Sequence, residues 1–301
     1  MTTPDTLRED RLNALMGVRP LELEPGRLRL EQEVGPRFHD HRGRTVLGSV
    51  GVLVDAVPGG AVGTAVPPGT QVVLSQVSAA MATPLPDHGT VEASGHAVQV
   101  DLDTGIGLAA GELRAAGGEV FAVLASRGVV VSRGSTHAEE VLRGRPLPVA
   151  EPEPVTDAAE FIDRGGLDVV EAIAARTIAR GPLAGLLGVE LAVVEHGRVV
   201  AEFTPADWMA NPMGSVQGGV LISAADLLTG LAGQTLTGPG QGYRALDLRI
   251  DFVRSPAADG PAVHVESAVV RAGRRLALVE TKLADTTGRL LARASASVHL
   301  L

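Results

Sequence analysis

Residues 188–226 read GVELAVVEHGRVVAEFTPADWMANPMGSVQGGVLISAAD, and residues 17–55 read GVRPLELEPGRLRLEQEVGPRFHDHRGRTVLGSVGVLVD. Laid over each other at an offset of 171, they coincide at Gly17/Gly188, Val18/Val189, Glu24/Glu195, Gly26/Gly197, Arg27/Arg198 and Glu31/Glu202. They coincide again at Gly43/Gly214, Gly48/Gly219 and Asp55/Asp226. These are 9 identities without a gap over 39 residues, where about 3 are expected by chance in a chain this rich in glycine, alanine and valine. Farther along the offset drifts by one in either direction, setting Pro84 on Pro256, Val91 on Val263 and Gly118 on Gly288. Short loop insertions between two diverged copies of one unit produce that drift, so the chain reads as an internal repeat.

Working outward from the repeat, Arg143 to Asp157 carries Pro146, Pro148, Pro152 and Pro154 among acidic residues. Such a stretch is an extended linker, which divides the chain into units 1–142 and 164–301 with a linker over 143–163. Each unit has the same pattern. A strand alternates around Leu28 and Leu30, or around Val199, Ala201 and Phe203, and an apolar helix starts near Gly48 or Gly219. Strands follow, in the second unit over 244–253, 262–271, 275–285 and 289–300, the last two joined by a turn at Thr286-Thr287-Gly288. One helix followed by an antiparallel meander predicts an α+β fold. From Val220 to Ala232 the helix is apolar on every side except at Asp226, the pattern of a helix buried all round.

Composition narrows the partners. With 45% hydrophobic and 20% charged residues the chain is globular, and its formal net charge of -9 offers no basic field for nucleic acid or an anionic membrane. No run is read as the ~18 apolar residues that span a bilayer, and residues 1–10 do not form a secretory leader, so a cytoplasmic location is expected. The absence of cysteine removes disulfides, thiolate metal sites and cysteine nucleophiles. His39-Asp40-His41 has no evident third ligand, so neither metal nor other cofactor is expected. Gly48-Ser49-Val50-Gly51 lacks the Gly-x-Ser-x-Gly spacing of a nucleophile elbow, and the glycines from Gly105 to Gly111 have too long a last interval for a dinucleotide fingerprint.

Chemistry gathers instead at Asn211, Gln217, Gly218, Gly219 and Asp226. A glycine pair at a helix start exposes unpaired N–H groups at the positive end of the helix dipole. A carboxylate inside an apolar helix has its pKa raised by desolvation, which suits a general base. Asp226 lies eight residues past Gly218, about 12 Å along the helix at 1.5 Å per residue, and so is out of reach of its own helix start.

Asn211, Gln217-Gly218-Gly219 and a carboxylate nine residues after Gln217 resemble the motif of the phenylacetic-acid-pathway type of hotdog thioesterase. The departure is Gln217, where that family usually has His. An amide holds a thioester or a water but does not titrate near pH 7. The resemblance implies two fused hotdog folds, paired as an intramolecular pseudo-dimer with one continuous antiparallel sheet and two central helices. It also implies hydrolysis of an acyl-CoA thioester to acid and CoA, by a homo-oligomer of the chain. Each carboxylate would serve the other unit's helix start. The first site would then join Asn211, Gln217, Gly218 and Gly219 to Asp55, and the second would join Asp226 to Asp40, Val46 and Leu47. In the second site two carboxylates repel and the helix start lacks its polar groups, so Asp55 is the first candidate catalytic carboxylate and Asp226 the second. Arg271, Arg274 and Arg275 are candidates for binding the CoA phosphates. A non-catalytic acyl-CoA-binding protein and a hotdog enoyl-CoA hydratase are the alternatives, although the hydratase's His and Asp pair is not apparent.

Overall fold

The computed structural model describes residues 11–131, 147 and 151–301. Arg143 to Pro146 and Pro148 of the expected linker lie outside them. The N-terminal half runs through α1 (Arg11–Met16), β1 (Val18–Glu24), β2 (Arg27–Val34), α2 (Gly51–Ala65), β3 (Gln71–Met81), β4 (Gly89–Asp101), β5 (Ile106–Ala115) and β6 (Val120–Val131). The C-terminal half runs through α3 (Gly166–Ala174), α4 (Pro182–Leu187), β7 (Glu190–Glu195), β8 (Arg198–Phe203) and α5 (Gly218–Gln234). It continues with β9 (Tyr243–Ala245), β10 (Asp247–Phe252), β11 (Val263–Ala272), β12 (Leu276–Asp285) and β13 (Leu290–Leu300).

All the strands belong to one antiparallel sheet in the order β1-β2-β4-β5-β6-β3-β10-β13-β12-β11-β8-β7, with β9 beside β13. The order reads alike from both ends once each strand is exchanged for its repeat partner, β1 for β7 and β3 for β10. The halves meet where β3 pairs with β10, from Ala80 opposite Asp247 to Gln76 opposite Asp251. Strand edges that each half would otherwise expose are closed by the other. This is the expected pair of hotdog folds sharing one sheet.

The two long helices lie against the sheet and against each other. The main hydrophobic core runs through both halves, taking in Leu53 and Val57 of α2 and Leu221, Ile222 and Leu228 of α5, and a smaller cluster gathers Ala61, Val62 and Ala109. The helices touch through small residues. Ser223 Oγ donates to Gly48 O at 2.6 Å and to Gly219 O at 2.9 Å, and a methyl at Gly51 would come within 2.5 Å of Gly219 O. Backbone cannot yield as a flexible side chain does. Gly51→Ala should therefore destabilise the chain by about 1 to 3 kcal/mol, the usual cost of overpacking a core. Gly63→Ala, on the same helix with nothing within 4 Å of its added methyl, should be neutral or stabilising by up to about 1 kcal/mol from helix propensity. Denaturant midpoints of the two variants check the contrast, and equal effects would show that the close approach at Gly51 is not tight.

Two local expectations are corrected. Pro58-Gly59-Gly60 is a helix-breaking run by local propensity, which predicts an end to the first helix there, yet α2 continues through Pro58 to Ala65. Packing of its apolar residues against β2 to β6 outweighs one lost backbone bond. The second concerns the missing membrane-length run. Leu47–Ala65, a 3-10 turn continuing into α2, is 19 residues long with a mean hydropathy of 1.3, enough to cross a bilayer by length and composition. Of its apolar window 67% is buried inside the fold, where it is a core helix. The described end of the proline-rich stretch is not free either. Thr156 is buried, and its N–H donates to His41 O at 2.7 Å.

Candidate active site

The loops leading into the two helices open with the same set of turn bonds. Asn211 Oδ1 accepts from the N–H groups of Met213 at 2.9 Å and Ser215 at 3.1 Å. Asp40 Oδ1 accepts from those of Arg42 at 2.8 Å and Arg44 at 3.0 Å. Both loops are closed by the same backbone pairs, Asn211 N–H to Ser215 O and Asp40 N–H to Arg44 O. An Asx side chain bonding two residues ahead is a turn former in its own right, which accounts for an Asn in one copy and an Asp in the other. These bonds also fix the alignment, so Met213 corresponds to Arg42, Gln217 to Val46, and Gly218 to Leu47.

At the first helix start, Gln217 caps α5 by accepting the Gly219 N–H on Oε1 at 2.8 Å. With Oε1 turned inward, the amide nitrogen is the group left to donate outward. The Gly218 N–H has no partner among the described residues. Across from it stands Asp55 of α2. A methyl at Gly218 would lie 2.3 Å from Asp55 Oδ1 and 3.1 Å from Phe252 Cζ, so glycine alone admits the carboxylate this close. Burial pushes Asp55 up to about 7, with the Gly219 amide opposing the rise. Asn211, Gln217, Gly218 and Asp55 are nonetheless each partly exposed, a carboxylate deep among protein atoms with a way in.

The second helix start is closed. Asp226 is only 3% exposed, and its Oδ2 accepts the Gly48 N–H at 2.7 Å. Its Oδ1 has no partner among the described residues. Burial raises Asp226 to about 6, the Gly48 amide and Arg42 opposing the rise and Asp40 adding to it. The expected clash of carboxylates is relieved by a residue that the motif does not contain. Arg42 binds Asp40 Oδ2 through Nη2 at 2.6 Å and Nε at 2.8 Å, and donates from Nη1 to Tyr243 O at 2.7 Å. Its guanidinium carbon lies 3.6 Å from the centre of the Tyr243 ring. Burial works to raise Asp40, but Arg42, aided by His41 and the Arg44 N–H, holds it below the ordinary carboxylate range.

Arg271, Arg274 and Arg275 are exposed at the β11–β12 turn. Leu276 at that turn pairs with His299, whereas Phe252, which borders Gly218, pairs with Ala292. Seven residues along β13 separate the two levels, about 23 Å at 3.3 Å per residue. The arginines are thus not brought to Gly218, and they lie at the end of the sheet where Tyr243 pairs with Leu300. Arg42, Tyr243 and Phe252 were missed by sequence reasoning. The available signal was that Arg42 follows Asp40 in the repeated loop at the place of Met213.

The chain matches the thioesterase superfamily over residues 213–292. It is 31% identical over 115 residues to a Saccharolobus solfataricus protein named as an esterase, a match covering 38% of this chain and 80% of that one. Solved structures agree along the whole length. The TesB protein of Mycobacterium avium subspecies paratuberculosis superposes with a TM-score of 0.59 at 11% identity, covering 99% of this chain and 100% of its own. An acyl-CoA thioesterase II, TesB2, from Mycobacterium marinum gives 0.57 at 14% identity, covering 97% of each chain. At such identities the likeness is one of fold. Together with the repeated loops and the shared sheet, these matches show that the chain belongs to the thioesterase superfamily, built as a tandem pair of hotdog folds.

Proposed function

We propose that this chain hydrolyses an acyl-CoA thioester to the free acid and CoA at the site made by Asp55, Asn211, Gln217 and Gly218. The observation that carries this reading is the close approach of a buried, partly accessible carboxylate to the bare Cα of Gly218, whose helix-start N–H has no partner among the described residues. The substrate carbonyl oxygen would accept from the Gly218 N–H and the Gln217 amide nitrogen, the geometry that stabilises an oxyanion. Asp55 either takes a proton from the attacking water, or attacks the carbonyl carbon itself to give a mixed anhydride that water then hydrolyses to the free acid, restoring the carboxylate. In either case the C–S bond breaks and the CoA sulfur leaves, taking up a proton. Asn211, whose oxygen is engaged in its own loop, has its amide nitrogen to offer a water or the carbonyl. Gly219 serves the substrate indirectly, by fixing the Gln217 amide. A division into units 1–142 and 164–301, a cytoplasmic location and a homo-oligomer of the chain belong to the same reading. No cofactor, nucleic acid or membrane is part of it.

The pH profile tests this assignment. A carboxylate of ordinary acidity would leave turnover flat through neutrality, but Asp55 is held up to about 7 by burial. Turnover should therefore rise with pH through about 7 in one step, since an amide at 217 supplies no second ionisation. Gln217→Ala should weaken turnover by roughly 0.5 to 1.5 kcal/mol, the worth of a neutral hydrogen bond, without moving that step. Steady-state thiol release between pH 5 and 9 measures both. A profile level across neutrality would remove Asp55 from the role of base.

A further inference from the structure

We propose that each chain has one working site, and that Arg42 closes the pseudo-equivalent second one by filling it with a cation of the protein's own. The proposal builds on the function proposed above, which it extends to the number of sites. The repeated loop bonds make Arg42 the counterpart of Met213. Where the first site has an unbranched apolar side chain, the second has a guanidinium. That group is held from three sides, by Asp40 Oδ2, by the Tyr243 carbonyl and by the Tyr243 ring. Tyr243 in turn packs on α5 one turn beyond Asp226, where a methyl at Gly230 would come within 2.9 Å of its ring.

Two further replacements complete the closure. Val46 supplies no hydrogen-bonding group where Gln217 does, and Leu47 places a buried side chain where Gly218 has none. Asp226 has meanwhile taken the Gly48 N–H for itself. Asp40, Leu47 and Asp226 are each at most 3% exposed, while their counterparts Asn211, Gly218 and Asp55 are all partly exposed. A neutral thioester offers nothing that would displace a guanidinium from a carboxylate and an aromatic face in a buried site. Because Arg42 comes from the N-terminal half and Tyr243 from the C-terminal half, the closed site also ties the halves together.

Two measurements test this. Calorimetric titration of the full chain with a non-hydrolysable acyl-CoA thioether should give one molecule bound per chain, and two per chain would overturn the closure. Absence of binding would count against the function proposed above, and a second readout judges the closure without any ligand. Arg42→Met should lower the melting temperature, because Asp40 loses its counter-ion, and it should lower it less in an Asp40→Asn background, where the loop keeps its turn-forming oxygen as Asn211 does in the other copy. An equal loss in both backgrounds would show that Arg42 is not held in the second site by Asp40, and would overturn the proposal.

Discussion

Asp55→Asn is expected to lower turnover by about 100-fold or more, the usual cost of removing a catalytic base, while leaving the chain folded and, above pH 7, more stable than the wild type. The second half of this expectation follows from the sign of the shift. Burial lifts Asp55 from 3.8 to about 7, so the native state binds its proton more tightly than the unfolded chain does. Stability contributed by the protonated form is then present below the unfolded value and lost as pH rises towards and through 7. An uncharged amide of the same shape avoids that loss. A carboxylate kept where its ionisation destabilises the fold is what the proposed catalytic role of Asp55 requires. Chemical denaturation at pH 5 and pH 8 checks the stability, and thiol release checks the turnover. A variant that is inactive and also less stable at pH 8 would point to a structural role for Asp55.

Gly218→Ala should be nearly as damaging to turnover, by about 100-fold, the scale of a lost oxyanion donor. Its methyl would lie 2.3 Å from Asp55 Oδ1, so either the carboxylate or the helix start must move. Alanine otherwise favours a helix over glycine, so the folding cost should be small and the damage should show in kcat. The double variant Asp55→Asn/Gly218→Ala supplies the control. If the two residues act as one unit, the second substitution adds little to the first. Full additivity of the two losses would mean that they act separately.

The repeat, the single α+β layout and the need for a carboxylate from the other half were legible because they are properties of periodicity and spacing. Glycines and Asx residues recur at one offset, and 12 Å of helix separates Asp226 from its own helix start. The closed state of the second site was not legible. It depends on Arg42 meeting Tyr243 across 201 residues of sequence, and on Tyr243 packing against a helix whose approach no local pattern encodes. The arginine turn shows the same boundary. Arg271, Arg274 and Arg275 are candidate phosphate ligands by their charge, and only the strand register gives their level, about 23 Å from that of Gly218 along β13. Pro58 makes the same point, since local propensity stops a helix that tertiary packing continues.

The most direct measurement of the central claim is thiol release from short, long and aromatic acyl-CoA esters by the wild type and by Asp55→Asn, each followed across pH 5 to 9. The wild type is expected to hydrolyse at least one of these esters, with a rate rising through about 7 as Asp55 ionises, and Asp55→Asn is expected to lack that activity at every pH. Binding without hydrolysis by the wild type, or unchanged turnover in Asp55→Asn, would contradict it.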